Sequence, residues 1–131
     1  MKSKSISVVY FNARSICNKL TDLKILLNSD TYELIFISET WLSDSDLDSA
    51  ILDSQGYAIL RNDRKTHAGG VAAIFNSKFA NKIVTHSIEC NDLQGFELLS
   101  FNIYLNPHYP VCFIFIYLLL PLKASDEITI C

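Results

Sequence analysis

Short apolar runs bounded by polar or turn-forming residues limit the fold of this chain more than any other feature of its sequence. The clearest is residues 34–37, which are followed by Ser38 and Glu39. A run of this kind is typical of a strand buried on both faces, and in open α/β sheets ligands gather at the carboxyl ends of such strands. The sequence therefore predicts Glu39 at the end of a buried strand. A lone acid there is more often a solvated loop residue, so its role depends on the residues around it.

The amino-terminal third of the chain predicts a crossover between two strands. Residues 5–11 are β-branched and aromatic, which predicts a first, central strand that ends at Asn12. Apolar residues then recur at helical spacing, which predicts an amphipathic helix over 15–27. Because 34–38 follows as the second strand, the order strand, helix, strand indicates a βαβ-type unit in an α/β protein.

The rest of the chain predicts a short helix and further strands. Residues 43–53 are rich in Ser and Asp, which predicts an acidic helix capped by Ser43 or Asp44. A polar loop containing glycine separates strands predicted at 57–60 and 71–75, which are expected to pair. Three further strands are predicted at 83–88, 96–104 and 111–117. The first two of these are expected to be antiparallel neighbours, and the third is expected to be buried. One largely buried sheet is expected to contain six of these strands, namely 5–11, 34–38, 57–60, 71–75, 96–104 and 111–117.

Composition narrows the class of protein. The chain has 131 residues, 50% of them hydrophobic, which is enough for one sizeable core. Its net charge of −3 argues against a module that binds nucleic acid by charge alone, although an enzyme that meets phosphate through a cation can remain acidic. The four cysteines are scattered, which indicates a reducing, intracellular setting. The apolar segment 111–122 is shorter than the roughly twenty residues of a membrane span, so no membrane contact is expected.

Five short motifs follow one another along the chain. They are Asn12-Ala13-Arg14-Ser15, Asn18-Lys19, Ser38-Glu39-Thr40-Trp41-Leu42, Gly56-Tyr57 with Arg61-Asn62-Asp63-Arg64, and Gly69-Gly70-Val71. In order and spacing they resemble the endonuclease/exonuclease/phosphatase superfamily, and within it the endonuclease domain of non-LTR (LINE-type, jockey-like) retrotransposons. A single short motif matches by chance, whereas five in sequence seldom do. The resemblance implies that 1–117 is the amino-terminal part of such a domain and that 118–131 is a divergent tail.

The resemblance implies a fold and a site. The fold would be a partial four-layer α/β sandwich, truncated after roughly half the domain, and half a sandwich is expected to leave an apolar sheet face exposed. Glu39 would bind Mg²⁺, with Mn²⁺ as an alternative, and Asn12 would help hold the metal or the phosphate. Tyr117 matches the tyrosine that follows the last strand of this half, and the resemblance implies that Asn12, Glu39 and Tyr117 are the catalytic residues. Magnesium prefers oxygen ligands that include one or two carboxylates, and as a Lewis acid it assists phosphodiester hydrolysis.

Three arginines are the candidate contacts to nucleic acid, namely Arg14, Arg61 and Arg64, because arginine engages phosphate in bidentate pairs. For Arg61 and Arg64 a salt-bridged loop is an open alternative. Gly69-Gly70 is expected to satisfy a backbone turn rather than to cradle phosphate, since no lysine, serine or helix start follows it.

The sequence lacks the superfamily's carboxyl-terminal Asp-x-Asn and Ser-Asp-His motifs. The predicted function is therefore an incomplete Mg-dependent phosphodiester hydrolase, by resemblance a DNA-nicking endonuclease, inactive as this fragment. Two alternatives stay open: a catalytically silent relic or binding module, and another superfamily member such as an exonuclease or a phosphatase. The implied partners are DNA and the reverse transcriptase domain of the parent element, and the implied location is intracellular, nuclear if the element is functional.

Overall fold

The computed structural model of the chain describes residues 5–52, 56–65, 68–91 and 95–118. Within these ranges the strands are β1 (Val8–Asn12), β2 (Leu34–Ser38), β3 (Tyr57–Asn62), β4 (Val71–Asn76), β5 (Ile83–Asn91), β6 (Phe96–Asn106) and β7 (Tyr109–Leu118). The helices are α1 (Leu20–Asn28) and α2 (Asp48–Leu52), and a 3₁₀ helix spans Ser77–Lys82.

The strands divide between two sheets, and the predicted α/β class is confirmed. In the first sheet, with the order β1-β2-β4-β3, β1 and β2 are parallel and the other pairs are antiparallel. In the second, β5, β6 and β7 are antiparallel neighbours. The crossover from β1 through α1 to β2 is confirmed, and so are the pairs β3 with β4 and β5 with β6. Strand β2 has the predicted bounds.

Strand β2 joins the two halves of the core because it is buried on both faces. Ile35 and Ile37 pack in the cluster that includes both α-helices. Phe36 faces the other way, toward the second sheet, and its ring centroid lies 6.0 Å from that of Phe101 and 4.9 Å from that of Phe115. Full burial of one such side chain stabilises the fold by about 1.5–3 kcal/mol. This alternation fixes which side of the first sheet meets the second sheet.

Helix α1 begins later than predicted, at Leu20 rather than at residue 15. The backbones of Arg14 and Ser15 are left-handed, with φ of 45° and 82°, and a right-handed helix excludes that conformation. A single turn follows, in which the Lys19 N–H donates to the Ile16 carbonyl at 2.9 Å. The apolar spacing thus predicted the helix correctly but not the loop that precedes it.

Helix α2 also begins later than predicted, at Asp48, and neither Ser43 nor Asp44 caps it. Ser43 and Asp46 instead form a turn of their own. The Asp46 carboxylate accepts from the Ser43 N–H at 2.9 Å, and the Ser43 carbonyl accepts from the Asp46 N–H at 2.9 Å. Residue 53, the predicted end of this helix, lies outside the described residues. Nowhere in the described ranges is a helix long and apolar enough to cross a membrane.

Three strand predictions are wrong. The strands form two sheets rather than one, and β1 is the outermost described strand of its sheet rather than a central one. Strand β7 is not buried, since the side chains of Ile114 and Ile116 are 63% and 55% exposed on its outer face. Those residues confirm the expected exposed apolar face. Of the predicted tail, residues 119–131 lie outside the described residues.

Candidate functional site

The carboxyl ends of β1 and β2 meet at one edge of the first sheet because the two strands are parallel. Asn12 lies opposite Ser38 in the register, and the backbone pairing continues past both strands. The Ala13 N–H donates to the Ser38 carbonyl at 2.9 Å, and the Ser15 N–H donates to the Glu39 carbonyl at 2.9 Å. The two motifs that carry Asn12 and Glu39 are therefore neighbours in space.

Tyr117 reaches this edge from the second sheet. Burial raises the pKa of its hydroxyl above the usual value, and the nearby Glu39 carboxylate raises this pKa further. A hydrogen bond with the Asn12 side chain acts in the opposite direction. The structure therefore brings together Asn12, Glu39 and Tyr117, the three residues proposed from sequence as catalytic, although their roles remain a prediction.

The side chains of Asn12 and Glu39 differ in how they are held. The Asn12 amide oxygen accepts from the Arg14 N–H at 3.2 Å, which orients the amide across the start of the loop. Glu39 is half-buried, and its carboxylate makes no hydrogen bond or ion pair with any residue that the structure describes. A half-buried carboxylate without such a partner retains its oxygens for a cation or for water.

The backbone at this edge is strained. Four non-glycine residues have positive φ: Arg14 at 45°, Ser15 at 82°, Glu39 at 52° and Trp41 at 56°. A left-handed residue of this kind costs about 1–2 kcal/mol, and such strain concentrates at functional sites. The pattern of residue types gives little warning of it, because none of these four is a glycine or an asparagine.

Lys19 holds the strained loop after β1, a role that the sequence did not reveal. Its ammonium group donates to the carbonyl of Ala13 at 2.7 Å and to that of Ser15 at 3.1 Å. A lysine directly before a helix is disfavoured by the helix dipole. The position of Lys19 directly before a helix is therefore the sequence feature that points to a structural role for this residue.

A buried acid from the second sheet lies behind the site, and sequence reasoning missed it. The Glu97 side chain on β6 is fully buried. It accepts from Arg64 Nε at 3.0 Å and from the Gly70 N–H at 2.9 Å. The available signal was its place in an alternating strand, where Leu99 and Phe101 occupy the same inward-facing positions and are also fully buried.

Arg61 and Arg64, two of the predicted nucleic-acid contacts, both form internal ion pairs. Arg61 pairs with Asp48 at 2.8 Å and with Asp63 at 2.6 Å, and Arg64 pairs with Glu97 at 2.9 Å. The alternative of a salt-bridged loop therefore describes their surroundings. Arg14 is exposed. Contact of any of the three with nucleic acid remains a prediction.

The donor atoms at this edge fit a cation that keeps most of its water. Glu39 supplies a carboxylate, and the exposed Asn12 supplies an amide oxygen that accepts one hydrogen bond, from Arg14. Glu97 is fully buried, and its two oxygens accept from Arg64 and Gly70. Across the ranges that the structure describes, no group of three or more His, Cys, Asp or Glu residues is placed to hold a metal. Magnesium is commonly held by only one or two carboxylates and retains several waters, so the donors suit weak Mg²⁺ binding.

Comparison with known proteins identifies the fold. No protein-family model and no curated protein sequence matches the chain. Solved structures do match it, among them the Xenopus laevis APE2 catalytic domain, with a TM-score of 0.57 and 16% identity over 89% of this chain. Humanized D. rerio TDP2 with 14 mutations has a TM-score of 0.58 and 13% identity over 88% of this chain. An AP endonuclease from Archaeoglobus fulgidus has a TM-score of 0.54 and 16% identity over 76% of this chain.

The chain shares the α/β fold of these solved structures over part of their length. These matches cover 46%, 51% and 37% of the respective solved chains, so this chain spans about half their length or less. The predicted fold class, a partial α/β sandwich of the endonuclease/exonuclease/phosphatase type, is confirmed. At 13–16% identity the likeness shows the fold alone.

Proposed function

We propose that the chain corresponds to the amino-terminal half of a metal-dependent phosphodiesterase that acts on DNA. The observation that supports this most directly is the convergence of Asn12, Glu39 and Tyr117 at the carboxyl ends of two parallel strands. In α/β sheets that is the usual place for a ligand. Solved proteins of this fold include an AP endonuclease and a 3′ phosphatase bound to product DNA hairpin.

Each of the three residues has a task that suits its surroundings. Glu39 offers an ionised oxygen ligand to Mg²⁺ or Mn²⁺, and the cation would act as a Lewis acid on a phosphoryl oxygen. The Tyr117 hydroxyl is protonated at neutral pH, as is usual for a phenol, and its raised pKa extends this to more alkaline pH, so it can donate a hydrogen bond to a phosphate oxygen. Asn12 orients that hydroxyl through the hydrogen bond between them.

The motif resemblance makes the proposal more specific. The parent protein would be a DNA-nicking endonuclease of a non-LTR retrotransposon, working in the nucleus beside a reverse transcriptase domain. Arg14 and Trp41 are the exposed groups next to the site, the latter 39% exposed, and they could contact a phosphate and a base. An exonuclease or 3′ phosphatase of the same fold would need a DNA end, whereas a nicking enzyme would not.

The test is nicking of supercoiled plasmid DNA with Mg²⁺ or Mn²⁺. The 131-residue chain alone should not exceed its Glu39→Gln variant, because its sequence lacks the family's Asp-x-Asn and Ser-Asp-His motifs and losing general acid–base help alone costs about 10²–10⁴-fold. Fusion to a carboxyl-terminal half from a family enzyme should give nicking that Glu39→Gln and Asn12→Ala abolish.

The control is Glu33→Gln, which removes a glutamate at the other end of β2 and should leave the nicking of the fusion unchanged. Nicking by the fusion that survives Glu39→Gln would refute the assignment of the site. Activity only on DNA with free ends would favour the exonuclease or phosphatase alternative.

A further inference from the structure

An ion pair is buried between the two sheets directly behind the candidate site. Arg64 lies in the loop that leads to β4, and Glu97 lies on β6 of the second sheet. The Arg64 side chain is 17% exposed and that of Glu97 is 0% exposed, and two guanidinium nitrogens contact the same carboxylate oxygen at 3.0 and 2.9 Å. A charge pair this deeply buried seldom adds net stability, because desolvation offsets the attraction. A role in geometry is therefore the better explanation for its presence.

The pair is packed against the backbone of Gly69 and Gly70. A Cβ atom on Gly69 would lie 2.6 Å from Arg64 Nε and 2.8 Å from Glu97 Oε1, so a side chain at this position would displace the ion pair. The second carboxylate oxygen of Glu97 accepts from the Gly70 N–H at 2.9 Å. Both glycines also have positive φ, 81° and 91°. These two residues are thus packed against Arg64 of their own loop and against Glu97 of the second sheet.

Gly69 and Gly70 in turn hold the loop that carries Glu39. The Gly70 carbonyl accepts from the Thr40 N–H at 3.2 Å, and the Gly69 carbonyl accepts from the Trp41 N–H at 2.8 Å. Thr40 is fully buried and separates two residues with left-handed backbones. Left-handed residues of this type persist only where the surrounding structure over-determines them.

We propose that Glu97, with Arg64 as its counter-ion, is a positioning residue that fixes the direction of the Glu39 carboxylate through the Gly69 and Gly70 backbone. It does not bind the cation itself, because both of its oxygens are occupied. The proposal rests on the proposed function only for the task of Glu39. It adds that the metal ligand on the first sheet depends on a buried acid on the second.

Two double variants of the whole 131-residue chain isolate this link. R64M/E97Q removes both charges but keeps an oxygen that can accept from the Gly70 N–H, whereas R64M/E97M removes that acceptor as well. Amide hydrogen exchange at Thr40 and Trp41, measured by NMR, should be about tenfold faster in R64M/E97M than in R64M/E97Q. The buried Gly70 N–H loses its acceptor there, which loosens the carbonyls that accept from these two amides. Exchange at Ile35 and Ile37, in the core of β2, should be equal in the two variants.

Equal protection of Thr40 and Trp41 in the two double variants would overturn the proposal. Glu33→Gln serves as the control, since it removes an ion-paired glutamate elsewhere and should leave both amides as protected as in the wild type. If R64M/E97M does not fold, as judged by near-ultraviolet circular dichroism, R64M/E97L removes the same acceptor and replaces it in the comparison.

Paramagnetic broadening by Mn²⁺ separates this inference from the proposed function. In the wild type Mn²⁺ should broaden the amide signals next to Glu39. The Mn²⁺ affinity should be about tenfold lower in R64M/E97M than in R64M/E97Q, because the loss of one hydrogen bond leaves the Glu39 carboxylate less well ordered for binding. If the wild type shows no broadening that depends on Glu39, the proposed function fails, while hydrogen exchange still decides the positioning role. Equal Mn²⁺ affinity in the two double variants counts against the positioning role.

Discussion

One glutamate flanks each end of strand β2, and the two side chains differ in their hydrogen-bonding and ion-pairing partners. Glu33, before the strand, accepts from the Ser7 N–H at 3.2 Å and forms an ion pair with Lys78. Glu39, after the strand, has a left-handed backbone, and its carboxylate has no hydrogen-bonding or ion-pairing partner among the described residues. One end of the strand contributes to stability. The other keeps an acid available at a cost in stability.

The pKa values follow the same division. The hydrogen bond from Lys78 lowers the pKa of Glu33 below its usual value, so the folded chain favours the charged carboxylate there. Glu39 instead acts on a neighbour, since its charge, after burial, raises the pKa of Tyr117. A site that must bind a cation benefits from a negative charge that the protein has not already neutralised. The strained, charged end is therefore the functional candidate.

The largest expected effect tests what holds the Glu39 end. Gly70→Ala should lower the free energy of unfolding by about 3 kcal/mol, because it combines a left-handed backbone with overpacking. The added Cβ would lie 2.6 Å from Thr40 Oγ1. Urea denaturation is the measurement. Ala68→Gly in the same loop, where φ is 70°, should cause no loss, and a Gly70→Ala loss below ~1 kcal/mol would show that the loop adjusts freely.

The same substitution at both ends of β2 should have opposite signs. Glu39→Gly should raise the free energy of unfolding by about 1 kcal/mol, because glycine adopts the left-handed backbone conformation of this position without the steric cost of a Cβ atom. Glu33→Gly should lower it by about 1 kcal/mol, since it removes an ion pair and adds backbone entropy to the unfolded chain. Urea unfolding of both variants checks this. Destabilisation by both would mean that Glu39 has a structural role.

A smaller effect comes from the ion pair at the Glu33 end. Glu33→Gln should cost about 0.5 kcal/mol at neutral pH, a value kept low because an exposed pair is screened by solvent; the Lys78 side chain is 56% exposed. Since the pKa of Glu33 is lowered by folding, this contribution is present above the ordinary value of 4.5 and is lost as the pH falls through the folded value. Unfolding measured across that pH range should therefore show the wild type and the variant converging.

The smallest effect links each glutamate to its own tyrosine. Tyr117 and Tyr57 both have raised pKa values, first because of burial. The charge of Glu39 raises the pKa of Tyr117 further, whereas for Tyr57 Asp30 contributes more than the charge of Glu33. Glu39→Gln should lower the pKa of Tyr117 but not that of Tyr57, and Glu33→Gln should do the reverse. Ultraviolet titration of tyrosinate, with Tyr117→Phe and Tyr57→Phe to assign the signals, measures both.

The alkaline stability curve follows from the same two tyrosines. A pKa raised by folding means that the folded chain holds the proton more tightly, so stability is full below the ordinary value of 10.0 and is lost as the pH rises through the folded value. In the tyrosinate titration, a shift in the pKa of the same tyrosine by both Glu39→Gln and Glu33→Gln would show that each glutamate charge acts on both ends of β2.

The sequence by itself determined the elements whose pattern is local. The apolar run 34–37 and the Ser38 that follows it, all buried, gave the bounds of β2, and the helical spacing that ends near Leu27 gave α1. The motif order also placed Asn12 and Glu39 at the ends of two strands that proved to be parallel neighbours. These features depend on the period of hydrophobic residues along the chain, which is a property of each segment alone.

Only the tertiary structure decided which strands share a sheet and which acids are held. Sequence pattern could not separate the first sheet from the second, since an apolar run fits the interior of either. By its pattern Glu97 is an ordinary strand residue, whereas its partners, Arg64 and Gly70, lie in the loop between β3 and β4 of the other sheet. The left-handed backbone of Glu39 likewise depends on hydrogen bonds that Thr40 and Trp41 make with a distant loop. Contacts between residues far apart along the chain determine these features, and the hydrophobic pattern within one segment does not predict such contacts.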